Sequence, residues 1–244
     1  MLTVVTTATR DYSRPWIFPS LGMLGCRVEC LLSEDDSRPL PVNVTRVPYV
    51  TPGCCYQNGH FLDAMPWMLD NDILVLADAD GVFQRDFSPA ELQTLNDLDD
   101  LGFAIGYNVR PGQRGAEEYA MLRPKQPIEE AAVRLDLPLD ILRGAWIYNT
   151  GLIAGRVAAW RRLRSLYART VGDHGPGMFH LHSWMQYFIC LTFCVMGIPI
   201  TELGFETHSH GHTPLTPKHR IERRQLWYDG GLVLYAHAVG GVTH

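Results

Sequence analysis

The residues best placed to do chemistry are two carboxylates one position apart, in Asp78-Ala79-Asp80-Gly81. They follow Ile73-Leu-Val-Leu-Ala77, an unbroken apolar run opened by Asp72. Such a run is the pattern of a strand buried on both faces, and ligands of open α/β sheets bind where these strands end. As the chain leaves the sheet, both carboxylates can turn toward one hard divalent cation, which would in turn neutralise a diphosphate. The plainer alternative is that Asp80-Gly81 simply makes a turn. A second cluster is Glu206-Thr-His208-Ser-His210-Gly-His212, followed by Lys218-His219-Arg220 and Arg223-Arg224. Three histidines at spacing two can hold Zn²⁺, form a lid over 205–225 that supplies hydrogen bonds and positive charge, or be plain solvated loop. Arg161-Arg162-Leu163-Arg164 is most simply the wet face of an amphipathic helix, with an anionic-acceptor or nucleic-acid patch as the alternative.

The elements that must position these groups alternate. Leu2 to Ala8 is a β-branched run closing on Thr9-Arg10-Asp11-Tyr12, the pattern of a buried first strand. Arg27 to Leu32 and Val42 to Val50 predict further strands, and Gln57 to Leu69 has apolar residues at helical spacing. Ser88-Pro89-Ala90-Glu91 offers an N-cap, a proline at the first helical position and an acidic first turn, predicting a helix from Pro89 to Leu98. Gly102 to Tyr107 and Ala145 to Ala154 read as strands. Ile128 to Leu135, Val157 to Val171 and Leu181 to Met196 read as helices. Ile198 to Leu203 and Leu232 to His237 are late strands, separated by a His- and Arg-rich loop of about thirty residues, long enough to be functional or mobile. Alternating strands and helices predict an α/β layer with a mainly parallel sheet. One domain is expected over 1–244, with a half in 1–110 that resembles a nucleotide-binding domain and a second half in 111–244, sugar- or acceptor-binding if the chain is a member of the family that its motifs resemble.

With 244 residues, 46% hydrophobic and 19% charged, the chain can build a sizeable core. Its formal net charge of −5 disfavours a dedicated nucleic-acid binder. The longest apolar stretches fall short of the roughly 20 residues that span a bilayer, and Met1 leads into Leu2-Thr3-Val4 without a basic, then apolar, leader. A cytoplasmic protein without integral membrane association is expected. Six cysteines, among them adjacent Cys54-Cys55 and Cys190 with Cys194 one helical turn apart, suit free thiols better than a disulfide framework.

Four segments in this order, Ala8-Thr9-Arg10-Asp11-Tyr12, Asp78-Ala79-Asp80, Tyr148-Asn149-Thr150-Gly151 and His237-Ala238-Val239-Gly240, resemble the retaining glycosyltransferases of the GT-A (Rossmann-like) fold, in the family 8 type. That family includes glycogenin and the bacterial galactosyltransferases of lipopolysaccharide synthesis. The resemblance implies that Asp78, Asp80 and His237 hold Mn²⁺, or Mg²⁺, across the two phosphates of a nucleotide sugar. It implies that Thr7, Ala8 and Thr9 meet base and ribose, with Asp11 beside them, and that Tyr12 stacks on the base. Asn149 would hydrogen-bond a donor-sugar hydroxyl, Thr150 and Gly151 would let the sugar approach the backbone, and Gln186 would face the sugar. Ala79 and Gly240 complete the donor-binding set.

The chain departs from that family in three places. Gln57, His60 and Asp63 stand where a lysine or arginine is usual, Thr243 and His244 where a lysine follows the His-x-x-Gly, and Met185-Gln186 where an Asp-Gln pair is usual. Arg85, Arg110, Arg114 or Arg220 are candidates to replace the missing cation. The expected function is metal-dependent transfer of a hexose from a nucleotide sugar, foremost a UDP-sugar, to an acceptor hydroxyl, with retention of configuration. The acceptor would be a glycan, a protein or another hydroxyl compound, with nucleic acid only as modified DNA. The alternatives are a nucleotidyltransferase that makes nucleotide sugars, although Thr7 to Arg14 lacks its Gly-rich loop, and a non-catalytic binding module on the same fold.

Overall fold

The computed structural model describes residues 1–7, 16–48, 60–109, 147–171, 197–210 and 216–237, together with Asp136, Pro138 and Phe193. Its elements are β1 (Leu2–Thr7), α1 (Ile17–Leu21), β2 (Arg27–Leu32), β3 (Val44–Pro48), a 3-10 turn (His60–Ala64), β4 (Ile73–Ala77), β5 (Gly81–Phe83), α2 (Pro89–Asn96), β6 (Phe103–Val109), β7 (Ile147–Arg156), α3 (Val157–Val171) and β8 (Ile200–Glu202). Five short strands follow: β9 (His208–His210), β10 (His219–Glu222), β11 (Gln225–Tyr228), β12 (Gly231–Leu232) and β13 (Tyr235–His237). The main sheet has the order β3-β2-β1-β4-β7-β6-β8. Its pairs are parallel except that β7 runs against both of its neighbours. This is the mainly parallel α/β layer that the alternating elements predict.

Successive side chains on a strand face opposite ways, so each strand feeds two cores. Val4, Val28, Val75, Ala104 and Leu152 pack with α1 and with Leu95 of α2 on one face. Val5, Leu31, Leu74, Leu76 and Ile153 pack with the 3-10 turn and α3 on the other. The second core is anchored by Trp160, fully buried, which meets Phe61 and Phe103 edge-on at 5.3 and 5.1 Å. Replacing so large a buried ring by alanine costs about 3–5 kcal/mol. α2 begins as its sequence predicts: the Ser88 hydroxyl accepts from Glu91 N–H at 3.3 Å while Glu91 Oε2 accepts from Ser88 N–H at 2.8 Å, a closed capping box.

Two expectations need correction. The helix expected over Gln57 to Leu69 is, in its described part, only the 3-10 turn His60–Ala64. Pro66 lacks an N–H to give and its ring would clash with the carbonyl four residues back, so no α-helix continues through it. The thirty-residue loop before the last strand contains strands of its own: β10, β11 and β12 form an antiparallel meander, and β9 pairs with β13. The wet face of α3 is also more specific than expected, since Arg161 and Arg164 pair with Asp70 and Asp63. Such exposed pairs are worth about 0.2–1 kcal/mol each. Cys26 and Cys30 are free thiols, and burial pushes them up to about 11 and about 12. The other cysteines lie outside the described residues. Among the described residues, no helix is long and apolar enough to cross a membrane.

Candidate metal centre

β4 delivers Asp78 and Asp80 to the C-terminal edge of the sheet, beside the end of β1, because Thr6 is in register with Ala77. The exit is fixed from three sides. Asp78 N–H donates to Gly151 O of β7 at 2.9 Å, and the Tyr235 hydroxyl donates to Asp78 O at 2.6 Å. Gly81, just beyond, opens β5 and pairs with His237 in antiparallel register. A Cβ on Gly81 would lie 2.2 Å from the Tyr235 ring, so only glycine lets this tyrosine close over the turn. β13 is thereby clamped between β5 and β9 and carries His237 to the two carboxylates.

One oxygen from each of Asp78 and Asp80 and one nitrogen of His237 lie within 4.8 Å of one another. His237 Nε2 is 2.8 Å from Asp80 Oδ1 and 3.6 Å from Asp78 Oδ2. Adjacent donors around a small octahedral cation, with bonds of about 2.1 Å, are roughly 3 Å apart. Asp78 and His237 are buried and Asp80 is partly exposed, so the triad has one side toward solvent. Burial alone would lower the His237 pKa, but the Asp80 carboxylate, aided by Asp78, outweighs it and raises the value. A proton on the imidazole thus occupies the place that a cation would take.

Asn149 sets which nitrogen faces the carboxylates. Its Oδ1 accepts from Gly151 N–H at 2.9 Å, which identifies that atom as the acceptor, and it lies 3.1 Å from His237 Nδ1. An amide oxygen cannot donate, so Nδ1 carries the hydrogen and Nε2 is left as the ligand nitrogen. The local backbone makes this possible through a bulge. β6 and β7 are in register at Ile105↔Ile153 and then at Gly106↔Asn149, so Thr150, Gly151 and Leu152 have no partner of their own on β6. Bulges of this kind re-aim side chains beside functional sites. A Cβ on Gly151 would lie 2.1 Å from His237 Nδ1, so the imidazole rests on bare backbone.

Of the residues expected at the site, Asp78, Ala79, Asp80, Asn149, Thr150, Gly151 and His237 come together, with Thr7 on the neighbouring strand. The Thr7 hydroxyl is buried at the end of β1, without a hydrogen-bond partner among the described residues. Ala8, Thr9, Asp11, Tyr12, Gln186 and Gly240 lie outside the described residues. Arg85 is removed from the candidates for a phosphate-binding cation. It makes a two-pronged pair with Glu91 at 2.7 and 2.8 Å and also donates to the carbonyls of Leu232, Glu206 and Asp86, which leaves its donors engaged. Arg220 is stacked 5.1 Å over Trp227 and 3.6 Å from Glu222, and Arg110 and Arg114 lie outside the described residues. Within the histidine cluster, buried His208 packs 5.8 Å from the His237 ring and 5.7 Å from Tyr235. His219 bonds Ser209 and Thr216. Among the described residues, the one group of three potential ligands is Asp78, Asp80 and His237. Tyr235 and Gly81 are the site residues that sequence reasoning did not assign. Their signal was there, since Tyr235 lies two positions before His237 on the same face of a strand and Gly81 directly follows Asp80.

No protein-family model and no curated protein matches the sequence. Among solved structures, the chain is similar to the galactosyltransferase LgtC in complex with donor and acceptor sugar analogues, with a TM-score of 0.53 over 98% of this chain and 87% of that one at 12% identity. An active-site mutant of LgtC gives a TM-score of 0.51 with the same coverage and identity. The fold is the GT-A fold of glycosyltransferases.

Proposed function

We propose that this chain is a metal-dependent glycosyltransferase that moves a hexose from a nucleoside-diphosphate sugar, foremost a UDP-sugar, to an acceptor hydroxyl with retention of configuration. The observation that carries the reading is the triad at the end of β4, with the His237 tautomer held by Asn149 so that Nε2 joins two carboxylate oxygens. Two hard oxygens and one imidazole suit Mn²⁺ better than Mg²⁺. A cation so held would act as a Lewis acid on the diphosphate as negative charge grows there.

The chain's own residues supply positioning. Thr7 offers a hydroxyl to the nucleoside from the strand beside Asp78, and the family resemblance assigns Ala8, Thr9, Asp11 and Tyr12 to the same base and ribose. Asp78 and Asp80 would orient the diphosphate through such an ion; Ala79 is fully buried in the core, so its side chain fixes the spacing of the two carboxylates and does not meet the donor, and Gly240 is assigned to the donor by the family resemblance. The family resemblance assigns Asn149, Thr150, Gly151 and Gln186 to the donor sugar; at Gly151 the His237 imidazole covers the bare backbone, so the sugar would have to meet this segment beside that ring. Asn149 has a second task, since the same side chain holds the ligand histidine. LgtC, solved with donor and acceptor sugar analogues, supports a donor and an acceptor as the two partners here. The expectation of a cytoplasmic enzyme belongs to the same reading.

A thermal-shift panel of UDP-, GDP-, ADP-, CMP- and dTDP-sugars, each with and without Mn²⁺, tests it, because a ligand of the folded state raises apparent stability. One nucleotide is expected to raise Tm only when the metal is present. No shift for any of them would overturn the assignment.

A further inference from the structure

Between α2 and the main sheet the packing does not close. A cavity of about 170 Å³ is left there, lined by Val75, Leu152 and Ala154 of the sheet, by Leu95 of α2 and by Leu203. Its origin is legible in the strand register, because Val75, Ala154 and Ala104 stand side by side on β4, β7 and β6. A row of side chains this small leaves room beneath a helix. Close-packed interiors hold few voids larger than a water molecule, and an apolar cavity of about 150 Å³ takes one aromatic ring.

Most of the polar lining among the described residues is already engaged. Glu91 accepts from both prongs of Arg85, from Ser88 and from the Thr207 hydroxyl, and the Thr94 hydroxyl donates to Ala90 O at 3.0 Å. These bonds also hold the frame open. Thr207 ties the 203–207 wall to α2, while Leu234 N–H donates to Glu206 O and Tyr235 N–H to Thr207 O on the far side of that wall. Glu202 and Glu206 are different: both line the cavity, both are exposed, and neither has an ion pair among the described residues. The Glu206 side chain folds back on Gly204, another lining residue, where an added Cβ would collide with its carboxylate. Arg85 and Glu91 cancel each other, so an apolar floor lies beneath a rim of net negative charge.

We propose that this cavity is a binding site for a small organic ammonium, with a ring or short alkyl body seated on Val75, Leu152 and Ala154 and the charged head at Glu206. Burial of the body supplies the affinity, and the acidic rim supplies the preference for a cation. A neutral hydrocarbon leaves the rim unanswered, and an anionic ligand meets like charge. The cavity takes no residue from Asp78, Asp80 and His237, so this inference goes beyond the donor site and stands independently of it.

Calorimetry with phenethylamine, ethylbenzene and phenylpropionate tests it, since the three share an apolar body and differ in charge. The wild type is expected to bind the amine about tenfold more tightly than phenylpropionate, with ethylbenzene between them, as two weak ionic contributions of opposite sign would give. In E202Q/E206Q the three affinities are expected to converge, with that for ethylbenzene unchanged. Ala154→Leu fills the cavity from the sheet and Thr94→Leu from the helix, and each is expected to abolish binding of all three. Thr94 is only half-buried, so that variant keeps the test open if Ala154→Leu does not fold. No binding of the amine by the wild type, equal affinities for amine and acid, a preference that survives in E202Q/E206Q, or binding that survives in Thr94→Leu would each overturn the proposal.

Discussion

The molecule holds acidic side chains at two places close to β13, a single carboxylate and a pair, and they are resolved in opposite ways. At Glu91, the carboxylate is fully answered by protein: Arg85 grips both oxygens, Ser88 donates from backbone and hydroxyl, and the Thr207 hydroxyl donates at 2.8 Å. At Asp78 and Asp80, two carboxylates face one imidazole and no described arginine or lysine joins them. Groups of the same chemistry thus serve as a structural rivet in one place and as part of a triad that could hold a metal ion in the other. The imidazole, whose pKa the Asp80 and Asp78 carboxylates raise, is the described counter-charge at the second.

The sharpest way to break the comparison is to remove one carboxylate from each place. Asp80→Asn is expected to lower affinity for Mn²⁺ by at least about a hundredfold, about 2.7 kcal/mol, with Tm unchanged or raised because a like charge is gone. Titration followed by electron paramagnetic resonance reads the loss. Gly151→Ala attacks the same centre through the backbone. Its new methyl collides with the imidazole, so a stability loss of about 1–3 kcal/mol together with weakened metal binding is expected in denaturant melts and metal titration. Glu91→Gln should do the reverse and cost about 2 kcal/mol of stability, with Mn²⁺ affinity unchanged. A loss of metal binding in Glu91→Gln would erase the distinction between the two places.

Acidity gives the smallest and most graded contrast. Burial would raise the Glu91 pKa, but Arg85, Ser88 and Thr207 outweigh it and lower the value. Its contribution to stability is therefore present above the usual carboxylate range, about 4.3, and is lost as pH falls through the lowered value. The His237 pKa is raised, so a proton competes with the cation for Nε2 and Mn²⁺ affinity should climb as pH rises through and above about 6.5. A metal affinity flat from pH 6 to 8 would show that His237 does not surrender a proton to the ion.

What the sequence revealed, and what it hid, follows from the range of the interactions. β4 and its two aspartates were legible because five apolar residues between carboxylates need no partner to be recognised. The capping box was legible for the same local reason, but the second task of Glu91, holding Arg85 away from the site, depends on a contact six residues back. The bulge at Thr150-Gly151 was hidden because it exists only in the register between β6 and β7. It is what lets Asn149 reach His237, so the role of that asparagine in fixing the imidazole of the triad was hidden with it. In the meander, Asp229-Gly230 was a readable turn signal, whereas the other turn, Arg223-Arg224 at positive φ, has the opposite of turn chemistry and no local rule would find it. Pro66 was visible, and it was enough to end the helix that the apolar spacing predicted.

The central claim is that Asp78, Asp80 and His237 are the ligands of one divalent cation that the nucleotide sugar requires. Anomalous diffraction from crystals grown with Mn²⁺ and UDP tests it most directly. The account predicts a single strong peak bonded to an oxygen of Asp78, an oxygen of Asp80 and Nε2 of His237, with the diphosphate completing the coordination. Bound nucleotide with no anomalous peak between those three side chains would contradict it.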